Sequence, residues 1–397
     1  MSWGDQQIYE RNERIIRKYH ETFPERDVII ENLVVDWDSY RDRLPVWLAA
    51  DAAADIVSLE GSYMYQRVAF DNALVDLTAL VTQYAHEFSP GALDALTVNG
   101  KVYGFPFHGW DTSPVMFVNY NAELFDEAGL PYPTYDWTWD DLIQMGQRLT
   151  RSGGARGQWG IDFGRSGFIG HWQPLLYAFG GRMYAPDRSE SFVNSPEAAA
   201  AFEFLKRLDT EYGIHAPPDL IVNKIGFVTG QVAMTTNWHQ SAVAMADYVR
   251  FENGITILPR GPQGYGFHPS LTVHSIGINA RSPHVKEAWD FIHWMLTSPE
   301  ALQAMGPQLP MVPLRSNIPY LVDMIRDSSS AQAAWLATEA VFQRMMPAVD
   351  RVGPEYPQVI QIMTEALHRY FDSDDAIEMY LDTAKRQIDA LLKELAR

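Results

Sequence analysis

The stretch Val98–Pro131 constrains the fold of this chain more than any other part of it. It opens with Asn99-Gly100, the strongest two-residue signal for a β-hairpin. An aromatic loop with the sequence F-P-F-H-G-W-D-T follows, and Val115–Tyr120 is then typical of a buried strand. Asn121 caps a short predicted helix, Ala122–Ala128, which a glycine closes. Together these elements can form one wall of a small-molecule site.

Length and composition set the class of the protein. The chain has 397 residues, too many for one hydrophobic core, so two domains are expected. Its net charge of −19 argues against nucleic acid or an anionic membrane surface as a partner, because both bind clustered Lys and Arg. The sequence holds no uninterrupted apolar run of about 18 residues, so no membrane span is predicted. The absence of cysteine excludes disulfides and thiol chemistry.

Helices and strands alternate along the first sixty residues. The pattern predicts a helix over Gln6–Phe23, a strand over Asp27–Leu33, a helix over Tyr40–Ala50 and a strand over Asp55–Leu59. Such alternation is typical of a largely parallel α/β sheet, in which ligands bind at the carboxyl ends of the strands.

The second half of the chain has a similar organisation. Pro174 suits the first turn of a predicted helix, Leu175–Phe179, which His171-Trp172-Gln173 introduces. Asn237-Trp238 is predicted to form a loop directly after the strand Gln231–Thr235. His171-Trp172-Gln173 and Asn237-Trp238 are therefore candidates for segments at helix or strand ends that face a ligand.

Three motifs carry a family resemblance. Y-G-F-P-F, then the aromatic loop, then F-V-N-Y-N-A-E-L-F-D-E-A-G-L resembles the central signature of the extracellular solute-binding proteins of family 1. These maltose-binding-protein-like proteins are the sugar-capturing subunits of ABC importers. F-V-T-G-Q-V-A-M-T-T-N-W resembles the family's G-x-x-A-M-x-x-x-x-W signature, and Ala288, Phe291, Leu296 and Ser298-Pro299-Glu300 match its A-x-x-F-x-x-x-L-x-S-P-E region. The resemblance covers essentially the whole chain.

The resemblance implies an α/β, two-lobed, periplasmic-binding-protein-like (type II) fold with a ligand cleft between the lobes. The lobe limits it implies are 1–114 and 277–316 for the N-lobe, and 115–276 and 317–397 for the C-lobe. A three-segment hinge would join the lobes at Val115–Tyr120, Thr272–Asn279 and Leu309–Arg315.

Aromatic and polar residues near strand ends and crossings are the predicted ligand-binding residues. Sugars offer flat C–H faces to aromatic rings, and their hydroxyls bond to carboxylates and amides. The predicted set is Trp3, Asp5, Asp36, Trp37, Glu60, Trp110, Asp111, Trp172, Gln173, Asn237, Trp238, His274 and Arg315. Packing at a strand end is an equally good interpretation of each single tryptophan in this set, and Arg315 fits an ion pair between lobes equally well.

Signals for catalysis are poor. Gly164-Arg165-Ser166-Gly167 has Phe168 where a nucleophile elbow requires glycine. No two histidines lie three or four residues apart, so no helical zinc pair exists, and neither a metal nor a cofactor is predicted.

Two alternatives to a sugar-binding protein stay open. One is a glycosidase or lyase, because fifty acidic residues allow many carboxylate pairs. The other is the same fold holding a polyol phosphate or another anionic solute, with Arg315 or Arg182 as the counter-charge.

The resemblance also implies partners and a location. A carbohydrate ligand and the transmembrane permease subunits of an ABC importer are the expected partners of a monomeric protein. The expected location is periplasmic or extracellular, with a membrane anchor. Because Met1-Ser2-Trp3-Gly4-Asp5 resembles the end of the family's first strand, we expect a longer precursor with its export signal upstream.

Overall fold

The structure is a computed structural model, and it describes most of the chain. The described residues are 1–59, 65, 68–69, 72–89, 91–107, 116–151, 157–163, 169–221, 224–265, 273–306, 312–344 and 355–395. For Trp3, Trp37 and Trp238 it describes the backbone alone.

Helices form the larger part of the described chain. They span Gln6–Thr22, Trp37–Ala49, Thr78–Val81, Ala92–Leu96, Ala122–Ala128, Trp139–Leu149, Ile169–Ala178, Pro196–Thr210, Pro218–Ile221, Ile225–Val228, His239–Tyr248, Val285–Thr297, Pro299–Met305, Ile318–Met324, Ser329–Gln343, Tyr356–Phe371 and Ile377–Leu395. Short 3-10 turns span Thr82–Tyr84 and Arg315–Asn317. Across the residues just given, no helix combines the length and apolar character that a bilayer crossing needs.

The strands are short and fall into four sheets. They are β1 Ser2–Trp3, β2 Val34–Val35, β3 Ile56–Leu59, β4 Thr97–Val98, β5 Lys101–Val102, β6 Gly104–Pro106, β7 Met116–Asn121, β8 Trp159–Asp162, β9 Val232–Trp238, β10 Asn253–Ile257 and β11 Ser275–Ile278. Their orders are β1-β2, β3-β11-β6, β4-β5 and β10-β7-β9-β8.

The chain divides into two units. Unit 1 comprises the described residues of Met1–Ser113 and Pro269–Ser329. Unit 2 comprises those of Pro114–His268, Ser330–Asp350 and Glu355–Arg397. The predicted lobe limits themselves stay a prediction.

Unit 1 is built around the antiparallel sheet β3-β11-β6. Ser275 pairs with both Leu59 and Pro106, so β11 lies between two strands that run opposite to it. On one side of this unit, the buried ring of Tyr19 packs edge-on against Phe291 and Trp294, with centroid distances of 5.1 and 5.2 Å. These rings join the first helix of the chain to Val285–Thr297.

Unit 2 is built around the mixed sheet β10-β7-β9-β8. The strands β8 and β9 are parallel, whereas β7 is antiparallel to both of its neighbours. Trp139 packs edge-on against Phe163 and Phe204, each at a centroid distance of 5.3 Å. This cluster covers the sheet beside the end of β8.

Local sequence signals explain many element boundaries. Asn121 accepts a hydrogen bond from the Leu124 backbone N–H, and Gly129 ends the helix at a positive φ of 60°, as predicted. Asn99 and Gly100 both have positive φ, at 51° and 76°, and join β4 to β5. The predicted hairpin is therefore confirmed, with the backbone conformation that its two-residue turn requires.

The predicted strand over Asp27–Leu33 is wrong. The structure forms only Val34–Val35 as β2, paired with Ser2–Trp3. A strand needs a neighbour to satisfy its backbone groups, and β1 supplies pairing for two residues only. The β-branched composition of the segment does not show whether a neighbouring strand is available to pair with it.

The predicted first turn at Pro174 is also wrong. The helix begins at Ile169, so Pro174 lies in its interior. Sequence favours proline at a helix start because its missing N–H costs nothing there. Here the helix begins one turn earlier, and Trp172 and Gln173 are part of it.

Candidate ligand-binding site

Three strand ends meet at one edge of the unit 1 sheet. The carboxyl ends of β3 and β6 and the amino end of β11 come together where Ser275 pairs with Leu59 and Pro106. Phe107 follows β6 and donates a 3.0 Å backbone hydrogen bond to the carbonyl oxygen of His274. The His274 side chain is 7% exposed and lies 5.7 Å from the Phe107 ring. The structure thus places the predicted residue His274 beside the end of β3.

The strand β1 ends at this same edge. Met1, the residue before β1, bonds to β3: the Met1 N–H donates to Ile56 O at 2.7 Å, and the Ser58 N–H donates to Met1 O at 3.1 Å. This pattern belongs to parallel strands, so the carboxyl ends of β1 and β3 point the same way. Trp3 therefore lies at the strand end where the sequence predicts it.

Two carboxylates of the predicted ligand-binding set cap helices. The Asp5 side chain accepts hydrogen bonds from the backbone N–H groups of Gln7 and Ile8, and both bonds go to Oδ1. Asp36 accepts one from the Ser39 backbone N–H at 3.0 Å. That bond stabilises the charged carboxylate and lowers the pKa of Asp36 below its usual value. Both side chains are solvent-exposed, so capping explains their positions without a ligand.

The corresponding edge of unit 2 is formed by β7, β8 and β9. Met116, the first residue of β7, pairs with Trp238, the last residue of β9. The strand β9 is longer than predicted, so Asn237 and Trp238 are its final residues and not a loop. Because β8 is parallel to β9, Asp162 ends its strand on the same side.

Asn237 belongs to a network of buried amides. Its Nδ2 donates to Asn119 Oδ1 at 2.8 Å, and Asn119 Nδ2 donates at 3.0 Å to both Ala242 O and Asn253 Oδ1. Asn237 is 6% exposed. The amide of Asn237 is therefore held in one orientation by neighbouring strands, at the edge where Trp238 also lies.

A buried carboxylate at the end of β8 was not predicted. Asp162 Oδ2 accepts hydrogen bonds from Lys224 Nζ and Thr235 Oγ1, each at 3.0 Å. The Asp162 side chain is 1% exposed, whereas that of Lys224 is 23% exposed. The two residues are far apart in the sequence, so only the fold brings this ion pair to the strand end.

Trp172 and Gln173 lie in the interior of unit 2. Trp172 is 1% exposed and packs edge-on against Phe202 at 6.1 Å. Gln173 is equally buried, and its Oε1 accepts a 2.7 Å hydrogen bond from the Tyr356 hydroxyl. The predicted stacking ring and amide are thus packing groups in this structure, and ligand contact by either stays a prediction.

The remaining predicted residues divide into two groups. Arg315 is exposed at the start of its 3-10 turn, which Glu87 holds by accepting 2.8 Å hydrogen bonds from the backbone N–H groups of Arg315 and Ser316. Glu60, Trp110 and Asp111 lie outside the described residues, as do the side chains of Trp3, Trp37 and Trp238. Among the side chains that are described, no three His, Asp or Glu residues are grouped so that they could hold a metal ion.

Comparison with known proteins relates this arrangement to one family. Residues 12–301 match the family of bacterial extracellular solute-binding proteins. An uncharacterized lipoprotein from the oleD 5′ region of Streptomyces antibioticus is 22% identical over 94% of this chain and 81% of its own length.

Solved structures resemble the whole chain. The ABC substrate-binding protein Lmo0181 from Listeria monocytogenes, in complex with cycloalternan, has a TM-score of 0.79 at 19% identity and covers 99% of this chain and 98% of its own. UgpB from Mycobacterium tuberculosis, in complex with glycerophosphocholine, has a TM-score of 0.78 at 18% identity. The likeness covers 100% of this chain and 98% of UgpB. At these identities the likeness concerns the fold.

Proposed function

Because this chain belongs to the family of bacterial extracellular solute-binding proteins, we propose that it captures a carbohydrate and delivers it to the permease of an ABC importer. The family resemblance and the two-lobed α/β fold of type II inferred from the sequence are thereby confirmed. The protein is a binding protein and not an enzyme, so the glycosidase or lyase alternative is set aside.

The structural likeness to Lmo0181 in complex with cycloalternan is the observation that favours a carbohydrate as the ligand. It extends over 99% of this chain, so both units have counterparts in a protein that holds an oligosaccharide. The two strand-end edges supply suitable chemistry, with Asn237 and Trp238 on one unit and His274 and Asp5 on the other. Fixed amide and carboxylate groups bond to hydroxyls, and an indole ring offers a face to the sugar's C–H groups.

We further propose that the ligand lies between lobes that correspond to the predicted limits, 1–114 with 277–316 and 115–276 with 317–397. Trp238 would stack on the sugar, Asn237 would orient a hydroxyl beside it, and Asp5 would accept one through Oδ2. Glu60, Asp111, Trp110 and Trp3 would complete the site, as the resemblance implies. Four or five such contacts, less the cost of association, correspond to roughly −8 kcal/mol, the affinity of a micromolar binder.

An anionic solute is the second candidate. The likeness to UgpB in complex with glycerophosphocholine covers the whole chain and favours it. Arg315 and Arg182 would then supply positive charge to a phosphodiester. For either ligand, we propose an extracellular location with a membrane anchor, which the lipoprotein relative supports.

One titration series tests both candidates. The purified protein is first examined by native mass spectrometry for a ligand that has remained bound. It is then titrated calorimetrically with monosaccharides, linear and cyclic gluco-oligosaccharides, and glycerophosphodiesters. We expect micromolar or tighter binding of a sugar, which is recovered unchanged. Binding of the phosphodiester alone would favour the second candidate, and shortened oligosaccharides would contradict both.

A further inference from the structure

The hairpin turn Asn99-Gly100 exposes two groups to water that can react with each other. Both residues are exposed, and their φ angles are 51° and 76°. Apart from its two chain neighbours, no heavy atom lies within 4 Å of the point where a side chain on Gly100 would begin. In the described part of the chain, neither the Asn99 side-chain amide nor the Gly100 N–H forms a hydrogen bond. Both groups are therefore free to move toward each other.

An asparagine amide can react with the peptide nitrogen that follows it. The nitrogen gives up its proton to water and bonds to the side-chain carbonyl carbon, from which the amide nitrogen takes up a proton and leaves as ammonia. Water then opens the resulting succinimide ring at either carbonyl and leaves aspartate or isoaspartate. The two steps together exchange ammonia for water. The side chain must be able to reach the nitrogen, and a following glycine hinders this approach least because it has no side chain.

Asn72 shares the conformation and exposure of Asn99, but its following peptide nitrogen is not free. It is exposed, with a φ of 51°. The next residue is Ala73, whose N–H donates a 3.2 Å hydrogen bond to Val68 O. A methyl group and a hydrogen bond thus both hinder attack by this nitrogen.

Asn253-Gly254 repeats the sequence of the turn inside a sheet. The two residues belong to β10 and pair with Asn121 and Tyr120 of β7. Asn253 Oδ1 accepts a 3.0 Å hydrogen bond from Asn119, and the Tyr120 ring covers Gly254 so closely that a Cβ there would lie 2.0 Å from it. The side chain and the following nitrogen can approach each other only when β10 leaves the sheet.

From the exposed turn and these two protected counterparts, we propose that Asn99 is a site of spontaneous deamidation, with the Gly100 nitrogen as the nucleophile. Water is the only other reactant. Each conversion replaces a neutral amide with a carboxylate and so adds one negative charge to a chain whose net charge is −19. In the isoaspartyl product the backbone also runs through the former side chain, which lengthens the turn by one methylene group.

The isoaspartyl product should loosen the hairpin. A two-residue turn joins its strands well only when its backbone twist matches theirs. The Leu77 N–H donates a 2.8 Å hydrogen bond to Val102 O, and Thr78 Oγ1 accepts one of 2.9 Å from the Val102 N–H. Because β5 holds these bonds in register, we expect the amide hydrogens of Leu77 and Val102 to exchange faster in the isoaspartyl form.

The test follows three asparagines in one sample. The whole chain is incubated at mildly alkaline pH, and peptides from successive samples are analysed by mass spectrometry with electron-transfer fragmentation, which separates isoaspartate from aspartate. We expect Asn99 to convert at least about tenfold faster than Asn253 in the folded chain, because the sheet must open before Asn253 can react. In urea this difference should vanish, since glycine follows both residues, whereas Asn72 should stay slow in both conditions.

Asn99→Gly is the matched variant, because glycine adopts the positive φ of the turn and has no amide to lose. The exchange rates of Leu77 and Val102 should stay constant during its incubation. Equal conversion of Asn99 and Asn253 in the folded chain would overturn the proposal. Aspartate without isoaspartate at Asn99 would do so too, because direct hydrolysis of the amide yields aspartate alone. No sugar enters these measurements, so their outcome is independent of the proposed function.

Discussion

The side-chain amide of Asn237 donates a 2.8 Å hydrogen bond to the side-chain oxygen of Asn119 across two antiparallel strands. Asn119 pairs with Thr235, so the two asparagines are diagonal neighbours on one face of the sheet. Asn119 is fully buried and makes two further hydrogen bonds. The orientation of Asn237 at the strand end therefore depends on a residue that the sequence did not single out.

Asn119→Ala should lower both stability and ligand affinity. It leaves Asn237 Nδ2, Ala242 O and Asn253 Oδ1 without this partner, and such losses cost about 1–3 kcal/mol for each buried group left unsatisfied. We expect the free energy of unfolding to fall by roughly 2–4 kcal/mol in urea titrations, since the losses are not additive. Asn194→Ala is the matched control, because its bond to Asp382 is exposed and should matter little. Equal effects of the two substitutions would contradict a role for the buried network.

Trp238→Ala should weaken sugar binding by roughly 1–3 kcal/mol, or about five- to a hundredfold, by analogy with the stacking of bases on aromatic side chains. The melting temperature without ligand should hardly change, since Trp238 ends its strand. Trp172→Ala provides the contrast, because it empties a core position and should cost about 3–5 kcal/mol of stability. Calorimetry and thermal melting of both variants distinguish stacking from packing. An unstable Trp238→Ala protein with unchanged affinity would contradict the stacking role.

Lys224→Met should destabilise unit 2 by leaving the Asp162 carboxylate buried without its cation. Removing one partner of a buried ion pair costs about 3–5 kcal/mol, and partial exposure of Lys224 reduces this to roughly 2–3. Lys286→Met, which breaks the exposed pair with Asp290, should change stability far less, because solvent screens that pair. Adding Asp162→Asn to Lys224→Met should recover part of the loss. Failure of that double variant to recover any stability would count against the ion pair as the cause.

In a polypeptide that begins at Met1, the free ammonium group of this residue should make stability depend on pH. Its pKa is about 5 in the folded chain against about 8 when exposed. Between these two pKa values the unfolded state binds a proton that the folded state does not. Stability therefore falls as the pH decreases from 8 to 5. Above pH 8 and below pH 5 this group does not change the stability further. The full effect is on the order of 4 kcal/mol. His293, whose pKa burial also lowers, adds to the fall below pH 6.5.

Amino-terminal acetylation isolates the contribution of Met1. It removes the charge and keeps a donor at the same atom, whereas His293 still titrates. Urea unfolding at pH 5 and pH 8 should give a smaller stability difference for the acetylated chain. Identical pH profiles for the two forms would show that the ammonium is hydrated in solution.

Ligand should reduce the radius of gyration. The predicted crossings Val115–Tyr120, Thr272–Asn279 and Leu309–Arg315 would let two rigid lobes rotate about a hinge and enclose the sugar. Small-angle scattering with and without a saturating ligand measures this directly. A radius that is unchanged at saturation would count against closure, while a weakly bound non-cognate sugar provides the control.

Much of the fold could be predicted because its boundaries carry local signals. Asn121 with Gly129, and Ser298 before Pro299–Met305, cap their helices as the sequence indicates. Asn99-Gly100 defines its hairpin in the same way. In each case the residues that satisfy the backbone lie within four positions of the groups that need them, so no knowledge of the tertiary structure is required.

The sequence-based predictions are wrong or incomplete where the local structure depends on contacts between residues far apart in the sequence. Asp27–Leu33 has strand composition, but a strand forms only where a neighbour pairs with it. Asp162 was missed because Lys224 reaches it only through the fold. Ligand contact by the predicted site residues stays a prediction for the titrations above.

The position of β11 has a consequence for biosynthesis. This strand separates β3 from β6 in the sheet of unit 1, yet it is made about 220 residues after β3. Unit 2 likewise depends on its last helix, where Asp389 accepts a 2.7 Å hydrogen bond from the Ser191 backbone N–H. Neither half can complete its hydrophobic core while the ribosome is still translating the middle of the message. Contacts this distant in sequence form slowly, so much of the apolar surface of each unit stays exposed until the last third of the polypeptide has been synthesised.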